Sequence, residues 1–493
     1  MPPLPKEELS RRRFLRLAAI GAAAAAGGTV PVLISCGESS SGPRPDQRGR
    51  SRLTQPGSIP ASGATLIAQP GTVSVAGGAP SAALLFNGAL PGPTIRARRG
   101  DVARIRLVNR LPEPTIVHWH GLIVPEVADG HPRNAIGAGA TLDYAFPVVQ
   151  RAGTFWYHPH PHGNTAAQIH RGLAGFFVVS DDEEDALRLP SGDREILLLL
   201  QDRDGDPARA LRYEPTTGDM HEGMLRDVPF GNGVRLPTLD IVGARYRFRV
   251  LNGSQARVFR LALSDGTPLA VIGNDGGLLP AMTEEGSVFI GVGERVDFLL
   301  DFTDVPVGTR LMLKSLPFEL PRVPGESSSQ GAEMDVLELV RIGAAGAEGA
   351  SSRPLPAILS SVSALGPPVH ERTFLLSSTR QDAMHTINGR SFDMNRVDEQ
   401  IPLGRVERWR FVNDSTLPHP VHLHGTHFQV ESRIGGRNVV YAYERGWKDT
   451  VLVMPLETVD VLVRFDRYRG VFPLHCHNLQ HEDMGMMLNV EVT

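Results

Sequence analysis

Apolar and polar residues alternate in short runs along most of this chain. Val102-Ala-Arg-Ile-Arg-Leu-Val108, Tyr246-Arg-Phe-Arg-Val250 and Val459-Asp-Val-Leu-Val-Arg-Phe465 each turn apolar side chains to one face. A period of two is the mark of a half-buried strand. Sustained 3.6-residue periodicity is scarce. The 52 glycines and 39 prolines break the runs into short pieces joined by turns. The pattern predicts an all-β chain of sandwich or barrel domains.

A second pattern recurs at longer range. A Gly-Asp or similar turn precedes a strand that ends in asparagine three times: Gly100-Asp101 to Asn109, Gly243 to Asn252, and Gly404 to Asn413. This predicts a threefold internal repeat. Composition places the boundaries. Domain one is expected over 60–182, ending at the acidic Asp181-Asp-Glu-Glu-Asp185, and domain two over 190–342. A Gly/Ala/Ser/Pro linker follows over 343–368, and domain three over 369–493. Three domains fit a body of this length, at about 150 residues each.

The front of the chain reads differently. Ser10-Arg11-Arg12-Arg13-Phe14-Leu15-Arg16 has the form of a twin-arginine export signal. An Ala/Gly-rich apolar run continues to about Ile34. It is short and small-residue-rich for a membrane span, so residues 1–36 are set apart from the fold. The run ends Leu33-Ile34-Ser35-Cys36-Gly37, which resembles a bacterial lipobox with Cys36 as the lipidated residue. Residues 37–59, rich in Ser, Gly, Pro and Arg, are expected to be a flexible tether. The expected location is therefore the periplasm or cell envelope, with a lipid anchor, reached through the twin-arginine machinery.

The formal charge is −4. Residues 1–35 hold Lys6 and four arginines against Glu7 and Glu8, a net +3, which leaves the body at −7. No basic stripe is present, so nucleic acid is not an expected partner. A monomer is expected. Cysteine is confined to Cys36 and Cys476. With lipid on one and metal on the other no disulfide can form, and each domain must rely on its core.

The candidate chemistry lies in four histidine clusters. They are His118-Trp-His120, His158-Pro-His160, His419-Pro-Val-His422-Leu-His424, and the tail His475-Cys476-His477-Asn-Leu-Gln-His481-Glu482-Asp-Met-Gly-Met486. Ten of the seventeen histidines fall in these windows. One His-x-His alone is more often two satisfied polar residues at a strand edge. Four such clusters, one holding a cysteine, point to metal. A thiolate, imidazoles and a weak thioether are the donors of a blue copper site. On a strand, Cys476 would face one side while His475 and His477 face the other, wiring two metal sites together. Clusters one and two lie in the first domain, and three and four in the last. A site that uses both pairs must lie between those domains.

These motifs resemble the multicopper oxidases, especially bacterial three-domain members such as copper-efflux oxidases and spore-coat laccases. The likeness covers nearly everything after residue 60, including Asn87-Gly-Ala-Leu-Pro-Gly-Pro-Thr-Ile and Ile387-Asn-Gly-Arg-Ser-Phe-Asp-Met394. It implies three cupredoxin-like Greek-key β-sandwich domains, the second without copper and acting as a spacer. It implies four copper ions. Cys476, His419 and His481, with Met486 as the long axial ligand, would hold the type 1 ion. His118 and His422 would hold type 2. His120, His158 and His477 would hold one type 3 ion, and His160, His424 and His475 the other. Met484 and Met487 read as packing. Asp129 and Glu482 stand where relatives carry the acids that supply protons, worth about 10²–10⁴-fold in rate. His131, His162, His170 and His427 fall outside the ligand pattern and are expected to be neighbours of the ligands or surface groups. Trp119 is expected to pack under the cluster.

The implied activity is the coupling of one-electron oxidations to four-electron reduction of O2 to water. Copper-efflux relatives carry a methionine-rich insertion suited to Cu(I). Here residues 343–383 contain no methionine before Met384. The expectation is laccase-like oxidation of phenols or aromatic amines at an open edge of His419, lined by Lys448, Asp449 or Asp414. The alternative is a metallo-oxidase acting on Cu(I), Fe(II) or Mn(II). A copper-free scaffold would lack ligands, and none is missing. A copper nitrite reductase would not use both His-x-His pairs with two histidines flanking the cysteine.

Overall fold

A computed structural model describes residues 51–75, 80–320, 329–343, 354–379 and 384–493. Helices are few and short, and strands dominate. The sheets fall into three pairs along the chain. The first domain stacks Pro80–Phe86, Ser62–Ser74, Val102–Asn109 and Thr141–Pro147 against a five-stranded sheet that runs from Ser58–Pro60 to Val117–His120. The second pairs a seven-stranded with a five-stranded sheet, and the third pairs two five-stranded sheets. Each pair encloses its own apolar core. Trp119, Phe146, Tyr157 and Phe177 anchor the first, Phe248 and Phe298 the second, and Phe374, Trp409 and Phe472 the third. Each such side chain, fully buried, contributes about 1.5–3 kcal/mol.

The repeat is physical. Strands Val102–Asn109, Arg245–Asn252 and Glu407–Asn413 each pair in parallel with the opening long strand of their domain. Their terminal asparagines do the same work. The Asn109 amide donates to the carbonyls of Glu113, Ile136 and Gly137, that of Asn252 to Arg257 and Ile290, and that of Asn413 to Leu417, Val453 and Met454. Each side-chain oxygen accepts a backbone N–H two residues on, from Leu111, Ser254 or Ser415. A buried loop needs its polar backbone satisfied, and one amide per domain supplies much of that.

The boundary segments are more ordered than their composition predicts. The tether expected over 37–59 is bonded into the fold from Ser51 onward. Leu53 N–H donates to the Thr238 carbonyl at 2.7 Å, Thr238 N–H returns a bond to Ser51, and Leu53 packs into the second core. The acidic run at 181–185 is a capped helix, with Asp181 accepting from Glu184 N–H. Glu184 is buried against Arg247 at 2.6 Å, tying domain one to domain two. Past 354 the expected linker also adheres, through Leu359 to Pro280 and Ser361 to Glu183. The export signal and Cys36 lie outside the described residues. No helix among the described residues is long and apolar enough to cross a membrane.

Candidate metal centre

Strand pairing brings the histidine motifs together in twos. Val117–His120 lies antiparallel to Gly153–Pro159, with His118 opposite His158. His419–Leu423 lies antiparallel to Gly470–Cys476, with His422 opposite His475 and Val421 opposite Cys476. The two ladders face each other across the seam of domains one and three. Alternation on the last strand divides its chemistry. Cys476 points into the third core beside Met486, while His475 and His477 turn toward the first domain's histidines.

Cys476, His419 and His481 form one trio. The Cys476 Sγ lies 3.4 Å from His419 Nδ1 and 3.6 Å from His481 Nδ1, and the two nitrogens are 3.3 Å apart. An ion at the centre of such a triangle would sit about 2 Å from each atom, the length of a metal–nitrogen bond. All three residues are buried. Met486 is buried beside them, its N–H donating to the His481 carbonyl and its own carbonyl accepting from Cys476 N–H. Burial pushes the Cys476 thiol well up, so a thiolate here requires a cation.

The other eight histidines form one continuous cluster. Nitrogens of His118 lie within 4.8 Å of those of His120 and His158, and also of those of His422 and His424. The donor set fits metal on a specific ground. His118 Nδ1 bonds the Asp129 carbonyl at 2.6 Å and His422 Nδ1 the Asp449 carbonyl at 2.8 Å, so both rings carry their proton there. Their Nε2 lone pairs then face each other at 3.2 Å. His424 Nδ1 bonds Asp129 Oδ2 at 2.7 Å, and its Nε2 faces the Nε2 of His475 at 3.1 Å. The Nε2 of His160 is 3.4 Å from that of His475. Opposed lone pairs repel unless a cation lies between them. His120 Nδ1, His158 Nε2 and both nitrogens of His477 are buried without any hydrogen-bond partner. Orphaned buried nitrogens of this kind need a ligand.

The electrostatics agree. Burial, reinforced by neighbouring imidazoles, holds His118, His120, His422, His424, His477 and His481 well below the ordinary histidine range. His158 falls to about 4, and His160 and His419 to about 3. Neutral imidazoles are what a metal binds.

The two expected acids both reach the cluster. Asp129 lies behind it, holding His424 through its carboxylate and His118 through its carbonyl. Burial without a cationic partner pushes its carboxyl well up. Gly130 makes this placement possible: at φ 84° a Cβ there would strike the Val117 carbonyl at 2.3 Å. Glu482, on the helix Leu479–Asp483, lies 3.2 Å from His475 Nδ1 and 3.5 Å from His160 Nε2. Burial opposes its ionisation, but His160 and His475 outweigh it and hold its carboxyl well below the usual range.

Several expectations at the edges need correction. His419 has no open edge. It is fully buried, and its Nε2 lies 3.0 Å from Ser415 Oγ. Lys448 and Asp449 do not line it. The register sets Thr450 opposite His422, which carries Asp449 to the far side, against the eight-histidine cluster. Lys448 is buried on Asp275 and Glu294, and Asp414 is exposed. The second domain is also more than a spacer. Its Arg295 grips Asp449 with two bonds, at 2.7 and 2.5 Å, and Asp449 Oδ1 accepts from His120 Nε2 at 3.0 Å. That bond directs the lone pair of His120 Nδ1 into the cluster. Burial raises Asp449, but Arg295 outweighs it and keeps the carboxylate charged. Gly293 brings second-domain backbone so close to His120 and His477 that a Cβ would lie 3.0 Å from each ring. Of the outlying histidines, His131 bonds Asn489, His427 bonds the Gly121 carbonyl, His170 is buried near Tyr213, and exposed His162 lies near Phe392. Trp119 sits in the first core.

Several known proteins resemble this chain in sequence and fold. Family models described as multicopper oxidase match residues 67–184 and 366–493. A laccase of Bacillus stratosphericus is 31% identical over 466 residues, covering 83% of this chain and 90% of its own. The crystal structure of the McoA multicopper oxidase of the hyperthermophile Aquifex aeolicus superposes with a TM-score of 0.82 at 34% identity, over 90% of this chain and 99% of that one. A multicopper oxidase of Campylobacter jejuni, described as a metallo-oxidase, superposes with a TM-score of 0.79 at 27% identity, over 91% and 97% of the two chains.

Proposed function

The chain belongs to the multicopper oxidase family, and from that premise we propose that it is a laccase-type oxidase whose copper is held by the ten clustered histidines and Cys476. It is an oxidoreductase that takes electrons from small reducing donors and passes them to O2. Four coppers are the natural count, because reducing O2 to two waters consumes four electrons and each ion stores one. The observation that carries the ligand set is the opposition of proton-free imidazole nitrogens, between His118 and His422 across the domain seam and between His424 and His475 within the third domain. In this reading Cys476, His419, His481 and Met486 hold the type 1 ion, and His118 and His422 type 2. His120, His158 and His477 hold one type 3 ion, and His160, His424 and His475 the other.

Copper supplies the one-electron steps and the site where O2 is reduced. The protein's own residues do the rest. His475 and His477 flank Cys476 along one stretch of chain and give electrons a short covalent path from one site to the other. Asp129 and Asp449 hold His424 and His120 in the tautomers that present their free nitrogens. Glu482, within ion-pair distance of His475 and His160, is placed to deliver protons to the oxygen site. Burial of the whole cluster excludes bulk water from the reaction.

Phenols or aromatic amines are the proposed donors. A second reading, oxidation of metal ions, draws on the metallo-oxidase neighbour and on Met384, a half-exposed thioether adjacent in sequence to His385, whose ring stacks on His481. Steady-state O2 uptake with a phenol and with Cu(I), side by side, tests the choice. Fast phenol turnover with weak cuprous activity is expected; the reverse pattern would overturn the laccase reading. Export through the twin-arginine route and lipidation at Cys36 belong to the same proposal, supported by the signal motif and the lipobox-like sequence, and a monomeric state is proposed with them.

A further inference from the structure

The outer edge of the type 1 site is closed. His481 turns Nδ1 toward Cys476, so its Nε2 edge points away from the metal and would be the natural entry for electrons. That edge lies 3.0 Å from the His221 carbonyl and 3.1 Å from Asn478 Nδ2, and the ring is fully buried. Its face is covered as well. The ring of His385 stacks on it at 3.7 Å and 20°. His385 is itself buried, held by Ser378 Oγ at 2.8 Å and the Met220 carbonyl at 3.2 Å. Beyond it the ring of His221 lies near-parallel, 5.6 Å away at 25°, at the margin of the surface with 9% exposure.

The covering element is stapled down. Met220 and His221 lie on the second-domain helix Thr217–Glu222, which opens in a reciprocal cap between Thr216 and Asp219. Three bonds fasten its end to the third domain: His481 with the His221 carbonyl, Asn478 with that of Glu222, and Met224 N–H with Gln480 Oε1 at 2.8 Å. A donor therefore meets neither His481 nor His419 directly.

We propose that the stacked rings His221, His385 and His481 form the electron entry of this oxidase, with His385 as the middle ring between a donor docked at the surface and the type 1 site. This rests on Cys476, His419 and His481 holding the type 1 copper. Tunnelling probability decays steeply with distance, and ring-to-ring spacings of 3.7 Å from His481 to His385 and 5.6 Å from His385 to His221 divide the path into short steps. A phenol donor loses one electron, its hydroxyl proton goes to solvent, a phenoxyl radical remains, and the electron passes along the rings to reduce cupric to cuprous ion. Such an entry selects donors by reduction potential and by fit to the surface around His221. It does not require a donor to ligate copper.

His385→Leu fills the same space and keeps the cover but removes the ring; His385→Phe keeps a ring. The copper-loaded holoenzymes are first compared by blue band and EPR signal, then reduced by 2,6-dimethoxyphenol under anaerobic conditions with bleaching followed by stopped flow. The expected result is an intact blue band in both variants. The limiting bleaching rate should be about tenfold slower in His385→Leu and within about threefold of wild type in His385→Phe, with half-saturation little changed. Wild-type bleaching by His385→Leu would overturn the proposal, because a mere cover survives that change. Should His385→Leu lose its blue band, His385→Phe decides alone: a near-native rate supports the stack, a tenfold loss overturns it. A wild-type protein that binds copper without any blue band would instead fail the ligand reading itself.

Discussion

At the scale of single residues, the site depends on groups one contact away from the ligands. Asp449 is the clearest. It joins His120 of the first domain to Arg295 of the second, and its own backbone carbonyl holds His422. Asp449→Asn leaves buried Arg295 with only the more distant Asp275, at 3.8 Å, as counter-charge, and the loss should approach the about 3–5 kcal/mol of a broken buried pair. The expected outcome is a lower melting temperature together with reduced copper content by atomic absorption; a fully loaded variant of native stability would remove Asp449 from the account. Glu482 acts on chemistry rather than assembly. Glu482→Gln should keep all its copper and its blue band while O2 reduction slows by about a hundredfold, within the range for a positioned acid. Unchanged turnover would make it a helix residue and nothing more. The candidate ligands, which the structure brings together, are legible in the sequence because each motif is short and the period of two fixes which side chains share a face. In the sequence Asp449 is one of three candidates for the edge of His419, and no motif marks Arg295 or His385. Their roles arise from contacts across 154 and 96 positions of chain, which no local pattern encodes.

At the scale of elements, the threefold repeat is the feature the alternation pattern revealed best. Its terminal asparagines recur with the same bonding in domains with and without histidine clusters, so their work is structural. Asn252→Ala, in the domain without a cluster, should strip the loop amide bonds from Arg257 and Ile290 and cost about 1–3 kcal/mol for the buried carbonyls left unpaired. Melting temperature should fall while the blue band of the loaded protein stays in place; loss of that band would mean the second domain shapes the type 1 site more directly than the account allows. What the pattern missed at this scale were adherent segments. Residues 51–59 and 354–368 lack apolar periodicity and read as linkers. They stay in place through backbone bonds and single anchors such as Leu53 and Leu359, which leave no periodic trace.

For the whole molecule, three sandwich domains converge so that the first and third supply the candidate ligands while the second braces and covers them. Arg295 and Gly293 brace the eight-histidine cluster, and the helix Thr217–Glu222 covers the trio of Cys476, His419 and His481. Composition could not show this, because a domain without a metal motif reads as a spacer until its contacts are known. The central claim is that Cys476 binds one copper and links it to the rest through the two histidines beside it. Copper content, visible spectrum and O2 uptake of the copper-loaded wild type and of Cys476→Ser test it most directly. The wild type should hold about four coppers and show an intense blue band, one electron being stored per ion. The variant should lose the blue band and phenol-driven O2 uptake while keeping the copper of the eight-histidine cluster. A blue, active Cys476→Ser protein would contradict it.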